Sequence, residues 1–209
     1  MNYLSESEYQ EYGIEATTST ASVAAVSALI DTHCRRSTLA VAKYCERLRI
    51  VSGSNTVRLS YLPAVAVAPA TSPIVSVRVR FGLPRRGERG FTDDLAEAVA
   101  VAFGLPGTWS DLSPSAVDLA PETGELTISG NPLGIPFNEI EITYTAGFSE
   151  IPDPVKFACA QLIRNAQATP ALNVRAQTMD RMQIDYFSDS LLDEVVQALL
   201  RPFVAQKVG

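Results

Sequence analysis

The single histidine, His33, is where catalysis would have to start, because any Ser-His-Asp or Cys-His pairing in the chain must pass through it. The segment DTHC sets Asp31 and Cys34 beside it. On a helix, adjacent residues and residues two apart point to different sides, so the relay geometry fails and His33 reads as a helix-face residue. Carboxylate chemistry needs two acids held about 5 to 10 Å apart. Asp180, Asp185, Asp189, Asp193 and Glu194 are the candidates, with Asp189 and Asp193 expected one turn apart at the start of a helix. There, negative charge also stabilises the helix dipole with no catalytic purpose. A small hydrolase or ligand-binding protein using Asp189, Asp193 and Tyr186 is the enzymatic alternative. The glycines form neither GxxxxGK[ST] nor GxGxxG, and GxSxG is absent, so neither a phosphate cradle nor a nucleophile elbow is expected. Three cysteines, Cys34, Cys45 and Cys159, lie far apart without a CxxC pair. They read as free thiols in a reducing compartment, with no disulfide framework and no metal site expected. No cofactor is implied.

The arginines are the more interesting polar feature. Arg78 and Arg80 share one strand face, and Arg85, Arg86 and Arg89 follow in LPRRGERG, in a chain whose formal net charge is −6. One reading is a solvated edge, where charge prevents unwanted strand pairing. The other is contact with a partner's acidic surface or with passing DNA. Tyr144 and Trp109 are candidate binding aromatics, although single aromatics are more often core or rim.

The elements that would carry these residues follow from periodicity. Residues 1 to 20 are polar and read as a flexible arm, ending in the hydroxyl-rich TTST, which offers several N-caps. Val23, Val26, Leu29, Ile30 and His33 then recur on one helical face that ends near Arg35 and Arg36. Alternation from Tyr44 to Ile50, the break GSN, and alternation from Val57 to Tyr61 predict a hairpin. Ile74 to Phe81 predicts a strand with Val75, Val77, Val79 and Phe81 on one side and Arg78 and Arg80 on the other. Thr92 to Gly104 predicts a short helix, and AVDLAPETGELTISG a second hairpin turning at PETG.

Ile140, Ile142 and Tyr144 then alternate, Gly147 permits a bend, and Asp153-Pro154 is an expected N-cap and first helical residue before the stripe Val155, Cys159, Leu162, Ala166. MQIDYF is weakly strand-like, and a last helix is expected from Ser188 to Arg201, ended by Pro202. This order predicts an α+β chain without βαβ alternation: a small helical bundle over 21–36 and 153–206, with an inserted antiparallel β region over 40–148 made of hairpins and one short helix. With 209 residues, 46% of them hydrophobic and 19% charged, the chain can bury a real core. It shows no secretion signal and no stretch of the ~18 to 20 apolar residues needed to span a bilayer, so it is expected to be soluble.

The segment ITYTAGFSEIPDPVKFACAQLI, residues 142–163, resembles the strand, loop and helix of tailed-phage head-to-tail connector (adaptor) proteins, in which a YTAGY-like strand end precedes an Ile/Val-Pro loop. ALIDTHCRR, TVRLSYLPAV, SPIVSVRVRFG, DLAPETGELTI and MQIDYFSDSLLDEVVQALLRPFV fall in the order the family shows, so the resemblance spans most of residues 20 to 205. Phe148 stands where the family more often has Tyr, and residues 83–116 look like an insertion.

The resemblance implies no catalysis. It implies a virion protein of the neck, assembled in the host cytoplasm, that forms a ring of about twelve subunits on the portal protein. Such a ring joins the portal to the tail or to a stopper or tail-terminator protein and leaves a channel for DNA. Another tail-completion or neck protein is the nearest alternative. Candidate partner contacts are Arg78, Arg80, Arg85, Arg86, Arg89, Leu200 and Phe203. Tyr144, Gly147, Phe148, Pro152 and Pro154 form the expected joint between strand and helix.

Overall fold

The computed structural model describes residues 1–50, 54–82, 98, 102, 104, 106–129, 135, 137–168, 176–179, 182–185 and 191–206, and within them the chain is mixed α+β. The predicted arginine loop 83–90 lies outside the described residues, as does most of the predicted helix 92–104. Two units emerge, one comprising Val41–Gly147 and the other Met1–Ala40 with Phe148–Ala205.

The first unit holds β1 (Ala42–Arg49), β2 (Thr56–Arg58), β3 (Ile74–Arg80), β4 (Ser110–Leu112), β5 (Val117–Ala120), β6 (Glu125–Ile128) and β7 (Glu139–Ala146). One antiparallel sheet runs β1-β7-β3-β4 and another β2-β6-β5. Both contribute to one apolar cluster, with Leu48, Val57, Val77, Val79, Val117, Leu126, Ile128, Ile140 and Ile142 buried in it. The expected hairpin of β5 and β6 is present. Gly124 takes a positive φ of 68° in its turn, and a Cβ there would stand 2.6 Å from a methyl of Leu62.

The expected hairpin of residues 44–61 is not formed. β1 pairs with β7 along its whole length, and β2 pairs with β6, in a different sheet. Direct pairing of the two segments would have set Arg47 and Arg49 beside another basic strand, whereas both observed partners carry acids in register. The strand at 74–80 also departs from strict alternation. Its register against β7 shifts between Ile74 and Ser76, so Val75 is 47% exposed while Ile74, Val77 and Val79 are buried; Phe81, expected on the buried side, lies beyond the strand end and is also 47% exposed. An extra residue in one strand of a pair reverses the facing of what precedes it.

The second unit is built on α1 (Thr20–His33), α2 (Asp153–Ala168) and α3 (Glu194–Leu200), with a two-stranded antiparallel pair of β8 (Ala176–Met179) and β9 (Met182–Asp185). Ser19 caps α1 by accepting from the Ser22 amide. At its other end the Arg35 amide donates to Thr32 O and the Arg36 amide to Asp31 O, a Schellman closure with Arg35 at φ 56° where glycine is usual. α2 packs on both α1 and α3, so its buried face is wider than one stripe: Ala158, Ala160, Ile163 and Asn165 join Val155, Cys159 and Leu162. Its first amide-accepting carbonyl belongs to Pro152, one residue earlier than the Asp153 cap expected.

Two further expectations change here. Residues 1–20 are not a loose arm: Tyr3, Leu4, Tyr9 and Ile14 are buried in the helical core, and Lys156 Nζ lies 2.6 Å from Glu8 Oε1. Apolar side chains interspersed among the glutamates reach that core although the segment is polar on average. The last helix begins at Glu194 instead of Ser188, because Asp193 caps it by accepting from the Val196 amide at 2.7 Å.

Candidate functional site

The arginines of the β-rich unit acquire partners from the sheet register. Glu141 lies directly opposite Arg47 of β1 and Arg78 of β3, and Glu139 directly opposite Arg49 and Arg80. Asp111 of β4 extends the first row beyond Arg78. An acidic central strand thus sits between two basic ones, and same-face cross-strand pairs of opposite charge favour this arrangement.

The side chains use it. Arg80 Nε donates to Glu139 Oε2 at 2.8 Å, Arg47 Nη2 donates to the same oxygen, and Arg49 Nη1 is 3.9 Å from Oε1. Arg78 donates to Glu141 Oε1 through Nε at 3.0 Å and again through Nη2. Burial pushes the Glu139 carboxyl up, but the hydrogen bonds and charges of Arg80 and Arg47 outweigh it and hold the group below its ordinary range. The Glu141 carboxylate raises Arg78 further above its usual value. Gly82 leaves room for the carboxylate, since a Cβ there would stand 2.2 Å from Glu139 Cδ. Trp109 gathers the guanidinium groups around its ring: Arg80 at 4.6 Å from the centroid, Arg47 at 5.3 Å and Arg78 at 5.7 Å.

Exposure divides this face in two. Arg49, Arg80 and Glu139 are largely buried, whereas the Arg47 and Arg78 side chains are 49% and 46% exposed. The face is a set of guanidinium–carboxylate pairs gathered around Trp109. It can present two oriented guanidinium groups to an acceptor.

The other candidates are dispersed. Tyr144 is buried in the sheet core: its hydroxyl donates to Glu46 and accepts from the Tyr61 amide at 3.1 Å, and burial, then the Glu46 bond, raises it well above a normal phenol. Tyr44 stacks on Tyr61 beside it, with ring centroids 4.1 Å apart. Gly147 takes φ 126°, and Phe148 then donates its amide to Leu39 O and sets its ring edge-on to Phe203, 5.5 Å between centroids. Pro152 supplies the carbonyl that opens α2, and Pro154 is exposed in its first turn. Leu200 is fully buried and Phe203 packs on the same core, so the Leu200 side chain is not a surface group of this chain.

Several of the possible catalytic groups have other surroundings: Asp31 accepts from the Tyr3 hydroxyl, and burial pushes the Cys34 thiol up to about 11. Asp193 is occupied by its cap and by Asn165 Nδ2 at 3.1 Å. Glu194 follows it in the exposed first turn of α3, and Asp185 lies on β9. Asp180, Tyr186 and Asp189 lie outside the described residues, as do Arg85, Arg86 and Arg89.

Among the described residues no three His, Cys, Asp or Glu side chains group as metal ligands, and no helix is long and apolar enough to cross a membrane. Reading the arginines alone missed Glu139, Glu141, Arg47 and Arg49. The signal was available in the matched spacings ERLR, VRVR and EIE, each with charges two residues apart. A scan against protein-family models and a search of curated proteins find no match to the chain.

Proposed function

We propose that the chain is a structural virion protein, a head-to-tail connector that assembles as a ring on a portal protein, joins it to a tail or stopper protein, and leaves a channel for DNA. The helices α1, α2 and α3 form its helical base, and it performs no catalysis. The observation that carries this reading is the course of the segment that resembles the connector family. Its strand is β7, interior to the four-stranded sheet, and the chain leaves that strand at Gly147 and enters α2, interior to the helical core. A segment so placed acts in shaping the subunit, as a ring component requires.

The half-exposed Arg47 and Arg78 supply the polar contact. Held by Glu141, Glu139 and Trp109, they meet a partner's acceptors with little further loss of side-chain freedom. The formal charge of −6 on each subunit suits a channel along which DNA moves without being gripped. The deciding experiment is a mass and imaging measurement on the protein mixed with its portal. A ring on the portal is expected, with a labelled copy found at the neck of purified particles. A protein that stays monomeric and never binds portal overturns the reading.

A further inference from the structure

A groove of about 650 Å³ opens in the helical unit between the turn at Glu11 to Gly13, the first half of α2, and Leu199 of α3. Its apolar lining is Pro154, Phe157 and Leu199, with Phe157 44% exposed. Arg164, two turns after Phe157 on the same helix face, sets its guanidinium 5.8 Å from the Phe157 ring centre. Its Nη2 donates to Gln161 Oε1, while its Nε is buried and has no hydrogen-bond partner among the described residues. A buried donor without an acceptor is costly. The rim is acidic, with Glu11 and Asp153 both exposed and Asp153 fixed by the Tyr12 hydroxyl at 3.0 Å. Apolar floor and acidic rim together select a segment that is basic and carries an apolar anchor.

This chain contains one such segment. Residues 83–91, LPRRGERGF, place Arg85, Arg86 and Arg89 between Leu83 and Phe91, in a protein that is otherwise acidic. We propose that the groove of one copy receives the 83–91 segment of a second copy, with an apolar side chain over Phe157 and Leu199 and the arginines against Glu11 and Asp153. The contact is heterologous, segment of one subunit to groove of the next, and repetition of such a contact closes a ring when the rotation allows. The inference rests on the ring reading above and names the surfaces that would build it.

The test titrates a fluorescent peptide of residues 81–92 into the full chain carrying Arg85→Glu, Arg86→Glu and Arg89→Glu, so that its own segment does not compete. Saturable binding that weakens as salt rises is expected. Glu11→Lys with Asp153→Lys should weaken it at least tenfold, as should Phe157→Ser, in variants whose circular dichroism matches the parent. A second measurement mixes the groove-reversed and segment-reversed full chains. Each alone should fail to self-associate, and mixing them should restore association, because the intact groove of one meets the intact segment of the other.

No peptide binding, or binding indifferent to the groove substitutions, overturns the proposal. If the wild type still forms rings on portal while these variants do so equally well, the groove assignment fails and the connector reading stands. A wild type that never assembles on portal removes the connector reading, whatever the peptide does.

Discussion

The two units are held together by different physics. In the β-rich unit, polar contacts span the sheet: Arg47 and Arg80 reach Glu139 across ninety-two and fifty-nine residues of chain, and Arg78 reaches Glu141 across sixty-three. In the helical unit the core is apolar, and the polar contacts mark edges: Ser19 and Asp193 cap helices, Arg35 and Arg36 close one, and Tyr3 and Glu8 tie down the N-terminal segment. Charge in the first unit therefore helps to choose which strands pair, whereas charge and hydroxyls in the second trim elements that packing has already chosen. A buried salt bridge is weak support for stability in itself. Its value here lies in register, because a slip of β1 or β3 by one residue would remove the opposite charges and turn the apolar set outward.

The sharpest way to break this comparison is to remove the shared carboxylate. Glu139→Gln leaves Arg47, Arg49 and Arg80 around an uncharged group at a position only 5% exposed, and should cost about 3 kcal/mol in denaturant unfolding. The exposed Arg78→Ser should cost far less, because an ion pair open to solvent contributes little. Equal costs for the two would refute the distinction between the buried and exposed rows.

In the helical unit the largest polar effect should come from Tyr3→Phe. The Tyr3 hydroxyl donates to Asp31 and accepts from the buried Leu39 amide at 2.8 Å, and losing it should destabilise by about 2 kcal/mol. A neutral result in thermal unfolding would return residues 1–20 to the status of an accessory arm.

A smaller effect separates the units by pH. Hydrogen bonds from Lys156 and Ser5 hold Glu8 down to about 2 from an ordinary 4.5. A depressed carboxylate contributes stability that is complete above its unfolded value and is lost as pH falls through the folded one, so this contribution should fade between about pH 4.5 and 2. Glu8→Gln should flatten that part of the acid-unfolding curve; an unchanged slope would show that the Lys156 pair contributes nothing.

The smallest expected change is a gain. Arg35→Gly relieves a left-handed residue at the end of α1 and should raise stability by a few tenths of a kcal/mol, checked by the denaturant midpoint. A loss would mean that the Arg35 side chain contributes more than its backbone costs.

Local pattern was legible where local forces decide. Ser19 among several hydroxyls, the PETG turn, the strand at 139–146 and the helix after Pro152 all follow from alternation, capping and proline geometry within a few residues. The candidate site was half legible: Arg78 and Arg80 were recognised as a charged strand face, but their partners lie on β7, roughly sixty residues on, and nothing nearby points to them. The absent hairpin of residues 44–61 has the same origin, since two good strands close in sequence pair only if no better-matched edge exists elsewhere.

By itself, then, the sequence determined the helix after Ser19, the strand at 139–146 and the helix after Pro152, and which side of each is apolar, because those depend on neighbours within a turn or a pleat. Tertiary structure alone decided that β7 lies between β1 and β3, that Glu139 gathers three arginines, and that Tyr3, Leu4, Tyr9 and Ile14 go inside. These are choices among distant partners, made by register, charge and the volume left to fill, and none of those quantities exists until the chain has folded back on itself.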